Sequence, residues 1–211
     1  MQPLRAVLDH LVYVTPSLDA TIERIEELFG VRAAIGGHHK AWRTRNALLS
    51  LGERMYLEIM GPDESHPAAN QPRPFGMDEM STPRLATWVA RSSDIQKVIG
   101  IARRDSLDLG ALQEGSRQKP DGSILRWTMT DLTKAREGGI IPYFTDWADS
   151  LHPAESSPKG CTLLMMKVAH PEANRIRRIL INLGIDVAVE AGPQPAIEAI
   201  IETPKGQYTL V

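Results

Sequence analysis

The chain has 211 residues, 42% of them apolar and 24% charged, with 24 Lys and Arg against 26 Asp and Glu and a net charge of −2. This composition suits a soluble globular protein with a real core. It argues against sequence-independent nucleic-acid binding, which runs on excess positive charge, and no apolar run approaches the roughly 20 residues of a membrane helix.

In chain order, Leu8 to Thr15 reads as a strand, and Pro16-Ser17 opens a helix. Ser17 is the N-cap candidate, Ile22, Ile25, Leu28 and Phe29 recur at helical spacing, and Gly30 is a C-cap signal. A short strand is expected near Ala33-Ala34-Ile35. Arg43 to Leu51 and Arg54 to Met60 read as strands joined by a tight turn at Gly52-Glu53. Gly61 to Pro83 carries five prolines and reads as a linker.

A second unit begins at the strand Leu85 to Arg91. Ile95, Val98, Ile99 and Ala102 then mark a helix within Asp94 to Leu107. Ala111 to Ser116 and Ile124 to Thr130 flank the turn signal Pro120-Asp121-Gly122, and Ile140 to Trp147 closes the unit. Pro142 suggests an edge position or a bulge there. After a second linker at Asp149 to Gly160, Cys161 to Ala169 is a strand and Pro171 to Leu183 a helix. Ile185 to Val189, Ala196 to Ile201 and Gln207 to Val211 are strands.

Val14 to Gly30 and Val168 to Gly184 superpose without a gap, and the central unit repeats the same order. The chain therefore divides into modules at 1–63, 84–147 and 161–211, with linkers at 64–83 and 148–160. Each module is too small to bury both faces of its own sheet, so the copies should pair. The expected fold is α+β: paired βαβββ modules forming a curved antiparallel sheet with a concave cavity and helices outside, plus a third βαββ-type module. The single cysteine, Cys161, excludes an internal disulfide and suits a reduced cytoplasmic chain, and MQPLRAVLDHLVYV is a poor signal peptide.

This arrangement resembles the vicinal oxygen chelate superfamily, and within it the glyoxalase-like domain family with an extra C-terminal module. The residues that carry the resemblance are LDHLVYVTPSLD at 8–19, GGHHKAWRTRNALLSLG at 36–52, YLEIMGPD at 56–63, RLATWVAR at 84–91, GSRQKPDGSILRW at 115–127, and IPYFTDW with HPAESSPKG at 141–160. The resemblance implies a small-molecule enzyme of lyase, isomerase or dioxygenase type, with a divalent metal in the concave cavity. The alternative is a metal-free protein that sequesters a small ligand. Related domains often show a His within the Thr-x-Asn motif, where this chain has Arg45. If Arg45 faces the ligand, the site prefers an anionic or strongly polar group.

In metal-dependent relatives the first strand of a module supplies a His or Gln and the last strand a Glu. His10 and Glu58 match those positions. They read either as a half-set of metal ligands, with catalytic roles as ligand or general base, or as a buried His–Glu hydrogen bond. A catalytic metal site usually needs three protein ligands. RLATWVAR offers none and IIPYFTDW only Asp146, so the third would come from His38, His39, Asp146 or His152.

For the ligand itself, His39 in the cavity-mouth loop, Asn46, Arg45, Arg117 and Asp146 are the polar candidates. Of the four tryptophans among eleven aromatics, Trp127 reads as core and Trp88 as a cavity wall. Arg126 reads as a surface or Asp-paired side chain. The expected partner is a small, anionic molecule, with no nucleic acid or membrane, and the third module is a candidate homodimer surface.

Overall fold

A computed structural model describes residues 4–65, 72–118, 122–134, 136–148 and 150–211, except the side chains of 117 and 118. The first module comprises β1 (Val7–Val14), α1 (Leu18–Phe29), β2 (Ala34–His39), β3 (Thr44–Gly52) and β4 (Met55–Pro62). The second comprises β5 (Arg84–Arg91), α2 (Ile95–Arg104), β6 (Leu112–Gln118), β7 (Ile124–Thr130) and β8 (Tyr143–Asp146). A one-turn helix, α3 (Pro153–Ser156), precedes β9 (Thr162–His170), α4 (Ala173–Asn182), β10 (Ala188–Ala191), β11 (Ala196–Thr203) and β12 (Gly206–Leu210).

The first two modules close one barrel in the order β1-β4-β3-β2-β6-β7-β8-β5. Each supplies a four-stranded half. β1 runs antiparallel to β5 along one seam, and β2 meets β6 at His38–Gln118 along the other. The expected antiparallel sheet is thus a mixed one: β1 is parallel to β4 and β5 to β8. The third module does not join the barrel but forms its own sheet, β10-β9-β11-β12.

The amphipathic helices decide which side of the barrel is dry. α1 buries Leu18, Ile22, Ile25 and Phe29, and α2 buries Ile95, Val98, Ile99 and Ala102. These join the outward barrel residues Leu11, Leu57, Ile59, Trp88 and Phe144, and Val168, Ile176 and Ile201 of the third module, in one apolar cluster. Gly30 ends α1 in the left-handed region, φ 78°, and its N–H reaches the Glu26 carbonyl. Ser17 holds the N-cap position but its hydroxyl makes no cap bond.

Both expected linkers carry structure that shapes the barrel's inside. Past the residues at 66–71, which lie outside the described set with His66-Pro67, a 3₁₀ turn at Pro74–Gly76 presents Phe75 to the cavity. The segment around α3 packs Ala154 with Leu48, Tyr56, Leu125 and Trp147. Ser50 N–H bonds the Pro158 carbonyl at 2.9 Å, tying that segment to β3. No helix among the described residues is long and apolar enough to cross a membrane.

Candidate functional site

The site begins with an irregularity in β1. Its register on β5 jumps from Leu8–Ala90 to His10–Val89, a bulge at Asp9. Strict alternation would send Asp9 to the opposite face from His10. The bulge brings both side chains into the buried interior, as such insertions do.

Asp9 has no exposure and gathers four partners. Oδ1 lies 2.7 Å from His10 Nδ1. Oδ2 receives Arg91 Nη1, Trp147 Nε1 and His152 Nε2, each at 3.0 Å. Burial opposes ionisation, but the hydrogen bonds and charges of His10 and His152 outweigh it and hold the carboxyl well below the usual range. His152 Nδ1 accepts from Ala154 N–H, so its Nε2 carries the proton given to Asp9. By the same logic His10 donates from Nδ1 and presents Nε2 to the cavity. Its ring stacks on Tyr56, centroids 4.4 Å apart.

Across the parallel β1–β4 pair, His10 lies beside Tyr56 and Val12 beside Glu58. His10 Nε2 and Glu58 Oε2 are 3.6 Å apart, both buried. That is too long for a hydrogen bond and short enough for one ligand atom to touch both. Asn46 on β3 donates from Nδ2 to Glu58 Oε1 at 2.6 Å. Its Oδ1 is buried and has no hydrogen-bond partner.

These residues form the polar floor of a cavity of about 530 Å³, counted to its open mouth. The walls are aromatic and aliphatic, with Trp42, Phe75, Trp127, Tyr143, Trp147 and Met60 among them. Gly115 makes room for one wall: a Cβ there would lie 2.2 Å from Trp127 Cε2. Trp127 then packs on Trp147 at 5.6 Å between ring centroids.

Of the sequence candidates, His10, Glu58, Asn46 and His39 line the cavity, His39 with Nδ1 at 3.1 Å from Thr44 Oγ1. Three do not. Arg45 alternates outward from Asn46 and donates to Asp19 at 2.6 Å, so it does not face a ligand. Trp88 pairs with Leu11 on the outer face and donates to the Ile140 carbonyl at 2.9 Å; it is core, and Trp127 is wall. Asp146 turns away while Thr145 points in, and its Oδ1 accepts from Ala148 N–H at 2.9 Å. The Arg117 side chain lies outside the described residues.

His38 is exposed, paired with Asp63 at 2.7 Å, and Arg126 is exposed on β7. His152 is in the floor's support rather than in the cavity. The sequence reasoning missed Asp9, Tyr143, Thr145 and Phe75. The sequence held one unused signal: counting outward from the turn signal Pro120-Asp121-Gly122 puts Gly115 opposite Trp127, the pairing observed.

A metal at the expected place would take His10 Nε2 and Glu58 Oε2, whose 3.6 Å spacing suits two ligands flanking one ion. Among the described residues no group of three His, Cys, Asp or Glu is arranged to hold a metal ion, because Asp9 and His152 are turned to each other behind His10, so the donor set stops at two. His39 and His152 are engaged with Thr44 and Asp9, and Asp146 with Ala148. The residues present do not make up a conventional catalytic metal centre.

A family model described as a glyoxalase-like domain matches residues 8–184. No curated protein matches. Among solved structures, a hypothetical protein from Staphylococcus aureus superposes with a TM-score of 0.68 at 12% identity, over 97% of this chain and 98% of that one. A methylmalonyl-CoA epimerase from Mycobacterium tuberculosis superposes with a TM-score of 0.45 at 21% identity, over 70% of this chain and 92% of that one. The likeness to the staphylococcal protein spans nearly the whole of both chains and is a likeness of fold.

Proposed function

The chain belongs to the glyoxalase-like domain family, and on that premise we propose that its barrel binds a small molecule on which His10 and Glu58 move a proton. The observation that carries this reading is the approach of His10 Nε2 to Glu58 Oε2 at 3.6 Å on a buried floor. A general acid and a general base need to reach the same substrate atoms, and this spacing allows it.

Each group is oriented from behind. Asp9 accepts the Nδ1 proton of His10 and stays ionised, which fixes the ring and turns Nε2 toward the ligand. Asn46 holds Glu58 Oε1, which leaves Oε2 for chemistry. Aromatic walls exclude water, so charge developing on the ligand is felt strongly by both groups. Glu58 takes a proton from an activated C–H or O–H and passes it across the 3.6 Å gap to the free Nε2 of His10. The imidazolium, held by Asp9, delivers that proton to another atom of the ligand and returns to neutral, the pattern of an isomerase or lyase. No step is routed through a metal, because the donor set stops at two.

The second reading is sequestration without turnover, in a metal-free protein whose cavity only holds its ligand. The two-donor set favours it over metal-assisted catalysis.

Solvent deuterium exchange separates them. The protein is incubated in deuterated buffer with a panel of α-oxo compounds, and C–H exchange is followed by NMR beside Glu58→Gln and His10→Asn. Exchange that falls by about a hundredfold or more in both variants supports proton transfer, since general acid–base groups contribute on that order. Unchanged exchange in both sinks it. Binding without any exchange leaves sequestration.

A further inference from the structure

The cavity floor accepts hydrogen bonds more readily than it donates them. Glu58 is a carboxylate with one oxygen, Oε2, turned to His10 and the cavity. Asn46 is 2% exposed. Its amide orientation follows from its partner: the reverse assignment would set its oxygen 2.6 Å from Glu58 Oε1. Nδ2 therefore faces the carboxylate, and Oδ1 remains a buried acceptor with no partner. A buried acceptor without a protein partner is costly, and a ligand that brings a donor relieves that cost. In its neutral form His10 adds a third acceptor, because its one proton is given to Asp9.

The surroundings do not balance this floor with positive charge. Among the described residues no Lys or Arg lines the cavity. The nearby arginines are engaged elsewhere: Arg45 on Asp19, Arg91 on Asp9 and the Arg54 carbonyl, and Arg136 on the carbonyls of Asp108, Leu109 and Asp131. Apart from His39, bonded to Thr44, and Thr145, bonded to the Thr128 carbonyl, the rest of the wall is apolar and aromatic. Trp42 and Trp127 offer π-faces that tolerate a cation and gain nothing from an anion, whereas the Tyr143 ring already carries the Arg136 guanidinium 4.4 Å from its centroid.

We propose that the cavity selects a ligand with an apolar body, O–H or N–H donors and no anionic group, the donors being received by Glu58 Oε2 and Asn46 Oδ1. This rests on the cavity being the binding site, as argued above, and not on turnover there. It reverses the anionic partner that Arg45 suggests from sequence.

Three probes with one aromatic body test it: phenylethylene glycol, phenethylamine and phenylacetate. Binding to the full chain is read by ligand-observed NMR and by thermal stabilisation. The diol and the protonated amine bind, and phenylacetate binds at least tenfold more weakly. Glu58→Gln weakens the amine by about tenfold, the loss of one charge-assisted hydrogen bond, and narrows the gap to phenylacetate. Should that variant fold poorly, the side-chain amide resonance of Asn46 in the unaltered protein replaces it, shifting with the diol and amine and not with phenylacetate.

Phenylacetate binding as tightly as the amine overturns the proposal, and so does the absence of binding by both donor probes. Loss of the proton-transfer reading shows instead as absent deuterium exchange with donor binding intact, so the two failures are distinct.

Discussion

His152 donates from Nε2 to Asp9 Oδ2 across 3.0 Å, and the two residues are 143 positions apart in the chain. Both are essentially without exposure. The bond joins the segment after the second module to the first strand of the first, directly behind His10. Through this contact the segment closes the support under the cavity floor.

Asp9→Asn should be costly at neutral pH. It leaves the Arg91 guanidinium and the three buried N–H donors of His10, Trp147 and His152 facing an amide, and breaking a buried charge network costs about 3 kcal/mol or more. The sign of the pH dependence follows from the lowered folded pKa. The ionised carboxylate stabilises the fold fully above the unfolded value, near 4. That contribution is lost as the pH falls from there toward the folded value. Urea unfolding at pH 7 and pH 3 should therefore show a large gap between the two proteins that shrinks in acid.

Gly115→Ala should damage the cavity without touching its polar floor. The new Cβ would meet the Trp127 ring at 2.2 Å, and that ring is held against Trp147 and His39. The indole must swing, at about 1–3 kcal/mol for an overpacked site. Tryptophan fluorescence should shift and binding of phenethylamine should weaken, while Gly100→Ala, with open space around it, does neither.

Trp88→Phe makes the contrasting case. Its indole N–H bonds the Ile140 carbonyl within the outer core. Removing the donor leaves that carbonyl unpaired, a loss of about 1–3 kcal/mol in thermal or urea unfolding. Probe binding should not change, because the outer face of β5 is not the cavity face.

Cys161 should resist alkylation in the folded protein. Burial pushes its thiol up to about 11, so little thiolate exists at pH 8. Iodoacetamide labelling at pH 8 should be slow in buffer and fast in denaturant. Fast labelling in buffer would mean that the start of β9 opens readily.

Much of the fold can be read from local pattern. Ile22, Ile25 and Phe29 of α1 recur at helical spacing because one face must be apolar to cover a sheet. The repeat of Val14 to Gly30 in Val168 to Gly184 reflects the same strand-to-helix unit built twice. Alternation alone sets Tyr56, Glu58 and Met60 on one face of β4, and all three line the cavity.

The rest required tertiary structure, for reasons that local pattern does not contain. A bulge at Asp9 shifts one side chain across the sheet, and nothing in LDHLVYV announces it. Arg45 and Asn46 are adjacent and alternate, but only the closed barrel says which of the two is inside. Trp88 and Trp127 both sit in strands, and only the neighbouring elements distinguish core from cavity wall. The residue types of His10 and Glu58 were legible from the chain, because a period of two survives in any sheet. Their separation, and the Asp9, His152 and Asn46 that orient them, come from β1, β3, β4 and α3 meeting, a contact between distant segments that no local interaction dictates.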